Sequence, residues 1–257
     1  MSTKKVAVST STSVLGAVID HLFRRKNLRH ISLIDGFWVP LTEAHKYAKL
    51  NFIEGVPDQD STKIRQVIEL LPKLRCALDV GANIGTTATV LANHFETVQA
   101  FEPAPDLYEA LKRNLVGYPD AQAKLMVVGE EIGETYLTLY TKFGQLSHVE
   151  SGHLATKKYR KVGPIKQITI DSLNLNDVDF IKIDVEGFEG PVVSGAKETL
   201  LRCRPAVLVE QAGNEEKNFG RPVNEASVFL ESLGMIRHPN SPRKMHKDRL
   251  YIFPNKS

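Results

Sequence analysis

The sequence predicts an α/β fold, a mostly parallel sheet with helices on both faces. Three observations carry that prediction. From Cys76 onward, apolar runs of strand length alternate with helical patterns, the rhythm of a parallel sheet covered on both sides. The first of these runs ends in a glycine-rich turn, Gly81 to Gly85, that leads directly into a helix. A later run, Phe180 to Ile183, is followed by three carboxylates within six residues. They fall at the strand edge where open α/β sheets bind ligands.

Leu15, Ile19, Leu22 and Phe23 recur at helical spacing behind a Ser/Thr-rich stretch that can cap a helix. His30 to Ile34 and Phe37 to Val39 read as two short strands joined at Asp35-Gly36. Ile64, Val67, Ile68 and Leu71 stand at i, i+3, i+4 and i+7 behind a cap at Asp60 or Ser61, and Pro72 ends that helix. The alternation then runs through a strand at 76–80, a helix from 85 to about 94 and a strand at 97–101. A helix at 105–115, with Leu107, Leu111 and Leu115 on one face, precedes strands at 125–128 and 180–183. A helix opening at Pro191 and a strand at 206–209 follow.

Between 129 and 170 the rhythm breaks. Tyr136, Leu137 and Leu139 predict one strand, Ile165, Ile168 and Ile170 another, and the basic stretch between them a loop. A helix over Ala226, Phe229, Leu230 and Leu233 stops at Gly234, and two strand-like pieces, 235–238 and 249–253, end the chain. The expected organisation is an N-terminal appendage, 1–57, followed by the main domain, 58–257.

With 257 residues, 42% hydrophobic and 25% charged, the chain has the composition of an ordinary globular protein. No apolar run approaches the roughly 20 residues that cross a bilayer. Lys4 and Lys5 are followed by a stretch too polar for a secretory signal. Cys76 and Cys203 are too few for a disulfide framework or a zinc site and read as buried thiols in a reducing compartment. A cytoplasmic location is therefore expected. The net charge of +3 hides an alternation: residues 1–75, 142–166 and 237–257 each carry +5, while 76–141 and 167–236 each carry −6. The basic blocks are either solvated faces or surfaces that converge on an anionic substrate.

Three motifs carry chemistry. In Asp79-Val80-Gly81-Ala82-Asn83-Ile84-Gly85-Thr86, Gly81 allows a tight turn and Gly85 a close approach to the helix N-terminus. A dinucleotide site would want G-x-G-x-x-G; here Asn83 replaces the middle glycine, and Asp79 would repel a pyrophosphate. Next comes Phe101-Glu102-Pro103, with Glu102 lying 21 positions after Gly81. A carboxylate there can accept hydrogen bonds from both hydroxyls of a ribose; the plainer alternative is a cap for the helix near Pro105. The third motif is Ile181-Lys182-Ile183-Asp184-Val185-Glu186-Gly187-Phe188-Glu189.

Together these segments resemble the FkbM family of S-adenosylmethionine-dependent methyltransferases, over about residues 58–211 and including Thr169 to Leu173. The resemblance implies a Rossmann-like class I methyltransferase fold, a seven-stranded sheet whose last two strands form an antiparallel hairpin. It implies that Asp79, Gly81, Ala82, Asn83, Gly85 and Thr86 hold the methionine part of S-adenosylmethionine, helped by Asp184. Glu102 and Pro103 would hold the ribose, and Val128, Gly129 and Glu130 would lie near the adenine. Members of the family methylate sugars and other natural products, so the expected acceptor is a hydroxyl on a sugar, a glycolipid precursor or another small molecule.

Methyl transfer from a sulfonium is an in-line displacement, with the nucleophile held about 3 Å from the methyl carbon. A hydroxyl must also lose its proton to a base within hydrogen-bond reach. Asp184 is the first candidate, Glu186 the second and Glu189 the third, with His148, His153 and His246 in the basic segments as further choices. In some O-methyltransferases of this fold a Mg2+ ion lowers the hydroxyl's pKa, and Asp184, Glu210 and Gln211 stand at corresponding places. His153, Lys157, Lys158, Arg160 and Lys161 are the expected substrate contacts if the acceptor is anionic. Nucleic acid is a poorer fit, because the basic blocks lack interleaved aromatic residues. A non-catalytic binding module fits poorly with the intact acidic cluster, and the appendage offers a surface for a homo-oligomer.

Overall fold

The computed structural model describes residues 31–41, 44–58, 61–140, 147–149, 159–239 and 247–254. The helix expected around Leu15 to Phe23 lies outside them. Strands β1 (Ile31–Ile34) and β2 (Phe37–Pro40) form the predicted hairpin, with Asp35 and Gly36 at φ 46° and 87°, the left-handed pair that a two-residue hairpin turn requires. Helix α1 (Ala44–Tyr47) and a small hairpin, β3 (Phe52–Ile53) with β4 (Val56–Pro57), lead to α2 (Ser61–Ile68). The cap of α2 is Asp58, which accepts from the Thr62 amide and from the Ser61 and Thr62 hydroxyls; the cap was expected at Asp60 or Ser61.

The main alternation is β5 (Cys76–Val80), α3 (Thr86–Ala92), β6 (Thr97–Phe101), α4 (Pro105–Asn114) and β7 (Ala121–Lys124). Strands β8 (Val127–Val128), β9 (Gly133–Tyr140), β10 (Ser147–Val149) and β11 (Tyr159–Ile168) come next. The chain then returns through β12 (Val178–Ile183), α5 (Glu189–Ser194), α6 (Lys197–Cys203) and β13 (Ala206–Glu210). Helices α7 (Asn214–Phe219) and α8 (Glu225–Ser232) precede the closing strands β14 (Ile236–Arg237) and β15 (Asp248–Ile252).

Seven strands form one sheet in the order β14-β15-β13-β12-β5-β6-β7. Its five other strands are parallel, and β15 runs antiparallel to both β13 and β14. This is the Rossmann-like sheet with a C-terminal hairpin. Every residue of β5 is buried, as a central parallel strand covered on both faces must be. Phe37, Val39, Tyr47 and Val56 join the same hydrophobic core as Ile64, Ala77 and Phe180. Residues 31–57 of the expected appendage thus lie in one compact unit with the main domain. No helix among the described residues is long and apolar enough to cross a membrane.

Three expectations need correction. The apolar run at 125–128 does not supply the third parallel strand: the half-exposed Ala121–Lys124 does, at the sheet edge, where one free flank removes the need for an apolar run. Val127–Val128 instead pairs with β11 in a separate four-stranded sheet, ordered β10-β9-β11-β8. The basic stretch is also more than a loop, since β10 and the start of β11 pair with β9, Arg160 opposite Leu139 and Lys161 opposite Thr138. Backbone pairing continues there without an apolar pattern to announce it. Finally, the helix expected to open at Pro191 opens at Glu189, with Pro191 inside its first turn, where a missing amide costs nothing.

Candidate active site

The glycine turn is held from both sides. Gly81 has φ 81°, and a Cβ on it would come 1.8 Å from the Asp184 carbonyl oxygen, so only glycine lets the turn lie against the end of β12. Gly85, at φ 93°, lets α3 approach Leu111 of α4, which a Cβ would meet at 2.8 Å. Asn83 also takes a left-handed conformation (φ 52°), and its side-chain oxygen accepts from the Ile84 amide at 2.8 Å. These contacts fix the amides of the turn.

Glu102 closes the arrangement. Its buried carboxylate accepts the Asn83 amide at 2.9 Å through one oxygen and the Ala104 amide at 2.8 Å through the other. Burial pushes its pKa up to about 7, against the pull of the two amides and of Lys182. Ala104 is the N-cap residue of α4, so Glu102 also does part of the capping work. Each oxygen keeps a second acceptor direction for a ligand donor.

A cavity of about 290 Å³ runs from this clamp to the ends of β12 and β13. Gly81, Ala82, Asn83, Thr86, Glu102 and Pro103 line one end, and Leu107, Met126, Val127, Val128 and Leu137 give it an apolar wall. Asp184, Glu186, Glu210 and Asp248 line it beside Lys63, Lys182 and Tyr47. Of the expected site residues, Gly81, Ala82, Asn83, Thr86, Glu102, Pro103, Asp184, Glu186 and Glu210 thus line one space.

Several do not. Asp79 is fully buried beneath the turn, 3.7 Å from Lys182 Nζ. Gly129 packs in the framework, where a Cβ would meet the Phe188 ring at 3.0 Å, and Glu130 pairs with Arg221 at 3.3 Å. Neither lines the cavity; Met126 to Val128, just before them, do. Glu189 is also outside its lining: one carboxylate oxygen accepts the Val185 and Gly187 amides, tying the turn after β12. Lys161 is exposed and rests on the Tyr136 ring at 4.1 Å. His153, Lys157, Lys158 and His246 lie outside the described residues, as do the side chains of His148 and Arg160.

The expected Mg2+ ligand set is not assembled. Gln211 is buried away from the cavity, and its carbonyl oxygen accepts from Ser227 of α8. The Asp184 and Glu210 carboxyls are hydrogen bonded to each other instead. Among the described residues, no three acidic, histidine or cysteine side chains are placed to hold a metal.

Electrostatics separate these acids. Burial would raise Asp184, but the Lys182 ammonium, 3.1 Å from Oδ2, and the hydrogen bond with Glu210 hold it below the usual carboxylate range. Glu210 is pushed up by burial and then by the Asp184 charge. Glu186 also rises, through burial and the same Asp184 charge, while Asn214 donates to it at 3.0 Å. Lys63 of α2 reaches Asp248 of β15 at 2.6 Å.

Lys182, Lys63, Tyr47 and Asp248 were missed by sequence reasoning. A signal existed for Lys182: a lysine inside Phe180-Ile181-Lys182-Ile183 and an aspartate inside Ala77-Leu78-Asp79-Val80 are charges in buried strands, and such charges are paired. Nothing in the pattern announces Tyr47, Lys63 or Asp248, which arrive from distant elements.

The family described as the methyltransferase FkbM domain matches residues 79–237, more than half of the chain. A Beauveria bassiana protein, methyltransferase 1, is 27% identical over 181 residues, covering 61% of this chain and 70% of its own. The hexuronic acid methyltransferase AglP of Haloferax volcanii is 27% identical over 183 residues, covering 68% of this chain and 72% of its own. A solved methyltransferase FkbM from Methylobacillus flagellatus aligns at 17% identity and a TM-score of 0.46, over 70% of this chain and 44% of that one. The matched segment contains the glycine turn, Glu102 and the acid-rich end of β12, and the chain is a methyltransferase of the FkbM family.

Proposed function

We propose that the chain methylates a hydroxyl oxygen of a small acceptor, a sugar or related natural product, with S-adenosylmethionine as donor. The observation that carries this reading is a single cavity lined both by the Gly81–Asn83 turn with Glu102 and by the Asp184 carboxylate. The residues fit the donor: the turn, locked against the Asp184 carbonyl by Gly81, brings Gly81, Ala82 and Asn83 to the cavity wall, Glu102 has acceptor directions for two ribose hydroxyls, and Met126 to Val128 give an apolar wall for a base. When bound, S-adenosylmethionine supplies an electrophilic methyl group.

Asp184 is held ionised at the cavity wall and takes the acceptor's proton, with Glu186 beside it as the second carboxylate. The relative named for hexuronic acid supports a sugar acceptor. Beside the acceptor, Asp184 is paired with Lys182 and Asp248 with Lys63, while burial raises Glu186 and Glu210, so this part of the cavity suits a group that donates hydrogen bonds. An anionic acceptor would depend on Lys157, Lys158, Arg160 and Lys161. The test is to incubate the protein with isotopically labelled S-adenosylmethionine and a panel of neutral and acidic sugars, then locate the label by mass spectrometry. Label on oxygen of a sugar is expected. Label on nitrogen or on nucleic acid, or failure to bind the donor in a calorimeter, would overturn the reading.

A further inference from the structure

Lys182 stands in β12 between two buried isoleucines, Ile181 and Ile183, and only 8% of it is exposed. Its register partner on the neighbouring strand is Asp79, which is fully buried. From this position Nζ lies 3.7 Å from Asp79 Oδ1, 3.1 Å from Asp184 Oδ2 and 3.5 Å from the Gly81 carbonyl. One ammonium thus meets the root of the glycine turn, the turn itself and the carboxylate that follows β12. We propose that Lys182 is a positioning residue for methyl transfer, anchored on Asp79 and holding the Asp184 carboxylate in register with the donor-binding turn.

A buried ion pair need not be kept for stability, since an uncharged pair of similar bulk commonly serves as well. If packing were the only need, two apolar residues at 79 and 182 would satisfy the central strands. What an uncharged pair does not supply is a rigid donor for Asp184. Without it, Asp184 keeps its hydrogen bond to Glu210, which draws it toward β13 and away from the turn. Side chains displaced by about 1 Å from productive geometry can cost about 100-fold in rate.

The proposal rests on the reading of Asp184 as proton acceptor, and the experiment separates the two. Lys182→Met alone leaves Asp79 buried without its counter-charge and is expected to fold poorly. Asp79→Asn/Lys182→Met removes both charges while keeping bulk, and its folding is checked by thermal unfolding. In this double variant kcat should fall about tenfold or more, within the reach of a misplaced base. The acceptor KM and the calorimetric Kd for S-adenosylmethionine should stay within about threefold, as for an interaction made only in the transition state. Asp184→Asn is measured in parallel. A double variant with wild-type kcat, beside an impaired Asp184→Asn, would overturn the role of Lys182 alone. A loss confined to KM or to donor Kd would also overturn it, by showing that Lys182 acts on binding. Normal turnover of Asp184→Asn would instead remove the reading on which the proposal rests.

Discussion

The two ends of the cavity hold their carboxylates in different ways. At the donor end, Glu102 is clamped by two backbone amides, those of Asn83 and Ala104, and every part of the clamp comes from one β-α-β unit. At the acceptor end, Asp184 is held by side chains: Lys182 from its own strand and Glu210 from the next, with Asp248 and Lys63 close by from the C-terminal hairpin and from α2. Backbone donors are fixed once the fold forms, whereas side-chain donors can be exchanged without disturbing it. On the proposed function, the Glu102 side is therefore suited to one unvarying donor, and the Asp184 side to an acceptor that differs between proteins.

The strongest test of that contrast is Asp184→Asn. It keeps the shape but removes the proposed proton acceptor, and turnover should drop by about 10²–10⁴-fold, the usual contribution of a general base. Donor affinity, measured by calorimetry, should be nearly unchanged. A parallel loss of donor binding would mean that the two ends are not separable.

Next in size is Glu102→Ala, which removes the acceptor of two amides together with the proposed ribose contact. Donor binding should weaken by about 1.5–3 kcal/mol, the range for hydrogen bonds to a charged group, with the remaining turnover at saturating donor much less affected. Because burial raises Glu102 to about 7, donor affinity should also improve as pH rises from 6 to 8. Glu102→Gln should flatten that dependence. An affinity independent of pH in the unaltered protein would show that the carboxylate is ionised throughout and that the ribose contact needs no proton release.

The donor end was legible in the sequence because it is local. Gly81, Asn83 and Glu102 fall within one β-α-β unit, and the spacing of turn and acid states the chemistry directly. Asp184 was legible for the same reason, as an acid at the end of an unbroken apolar run. The acceptor end was not, because Tyr47, Lys63 and Asp248 come together only through the packing of α1 and α2 and the pairing of β15 with β13. Glu189 shows the opposite error: its place in the acidic motif suggested chemistry, yet its carboxylate is bound by the amides of its own turn. Charge along the chain misled in a similar way. Asp248 lies in a basic block but faces an acidic cavity end.

Glu189 gives a smaller effect, on stability. Burial raises its pKa to about 7, despite the Gly187 and Val185 amides. A folded-state pKa above the unfolded value means that the folded chain holds an extra proton between about pH 4.5 and 7. That contribution is complete below the lower limit and is lost as pH rises through the upper one. Glu189→Gln keeps an oxygen for both amides without a charge. The variant should lose less stability than the parent between pH 5.5 and 8, by about 2–4 °C in Tm or more, which is what roughly 1 kcal/mol moves in a domain of this size. Equal pH dependence in both proteins would place the ionisation elsewhere, with Glu102, Glu186 and Glu210 as the other raised groups.

The smallest effect concerns Lys157, Lys158, Arg160 and Lys161. Lys161 is exposed and seated on Tyr136, and the described acceptor end carries four carboxylates. Replacing Lys157, Lys158, Arg160 and Lys161 by Ser should therefore move the acceptor KM by no more than about fivefold, the reach of an exposed charge such as Lys161. With a neutral sugar, kcat/KM should also respond little to salt, since screening acts only where charges attract over distance. A larger rise in KM, together with a salt dependence that the substitutions abolish, would mean that the acceptor carries negative charge. It would then be held by this block while its hydroxyl alone enters the acidic end. In that case the division between the two ends would extend to a third surface, and the block would be the part of the protein that selects among sugars by charge.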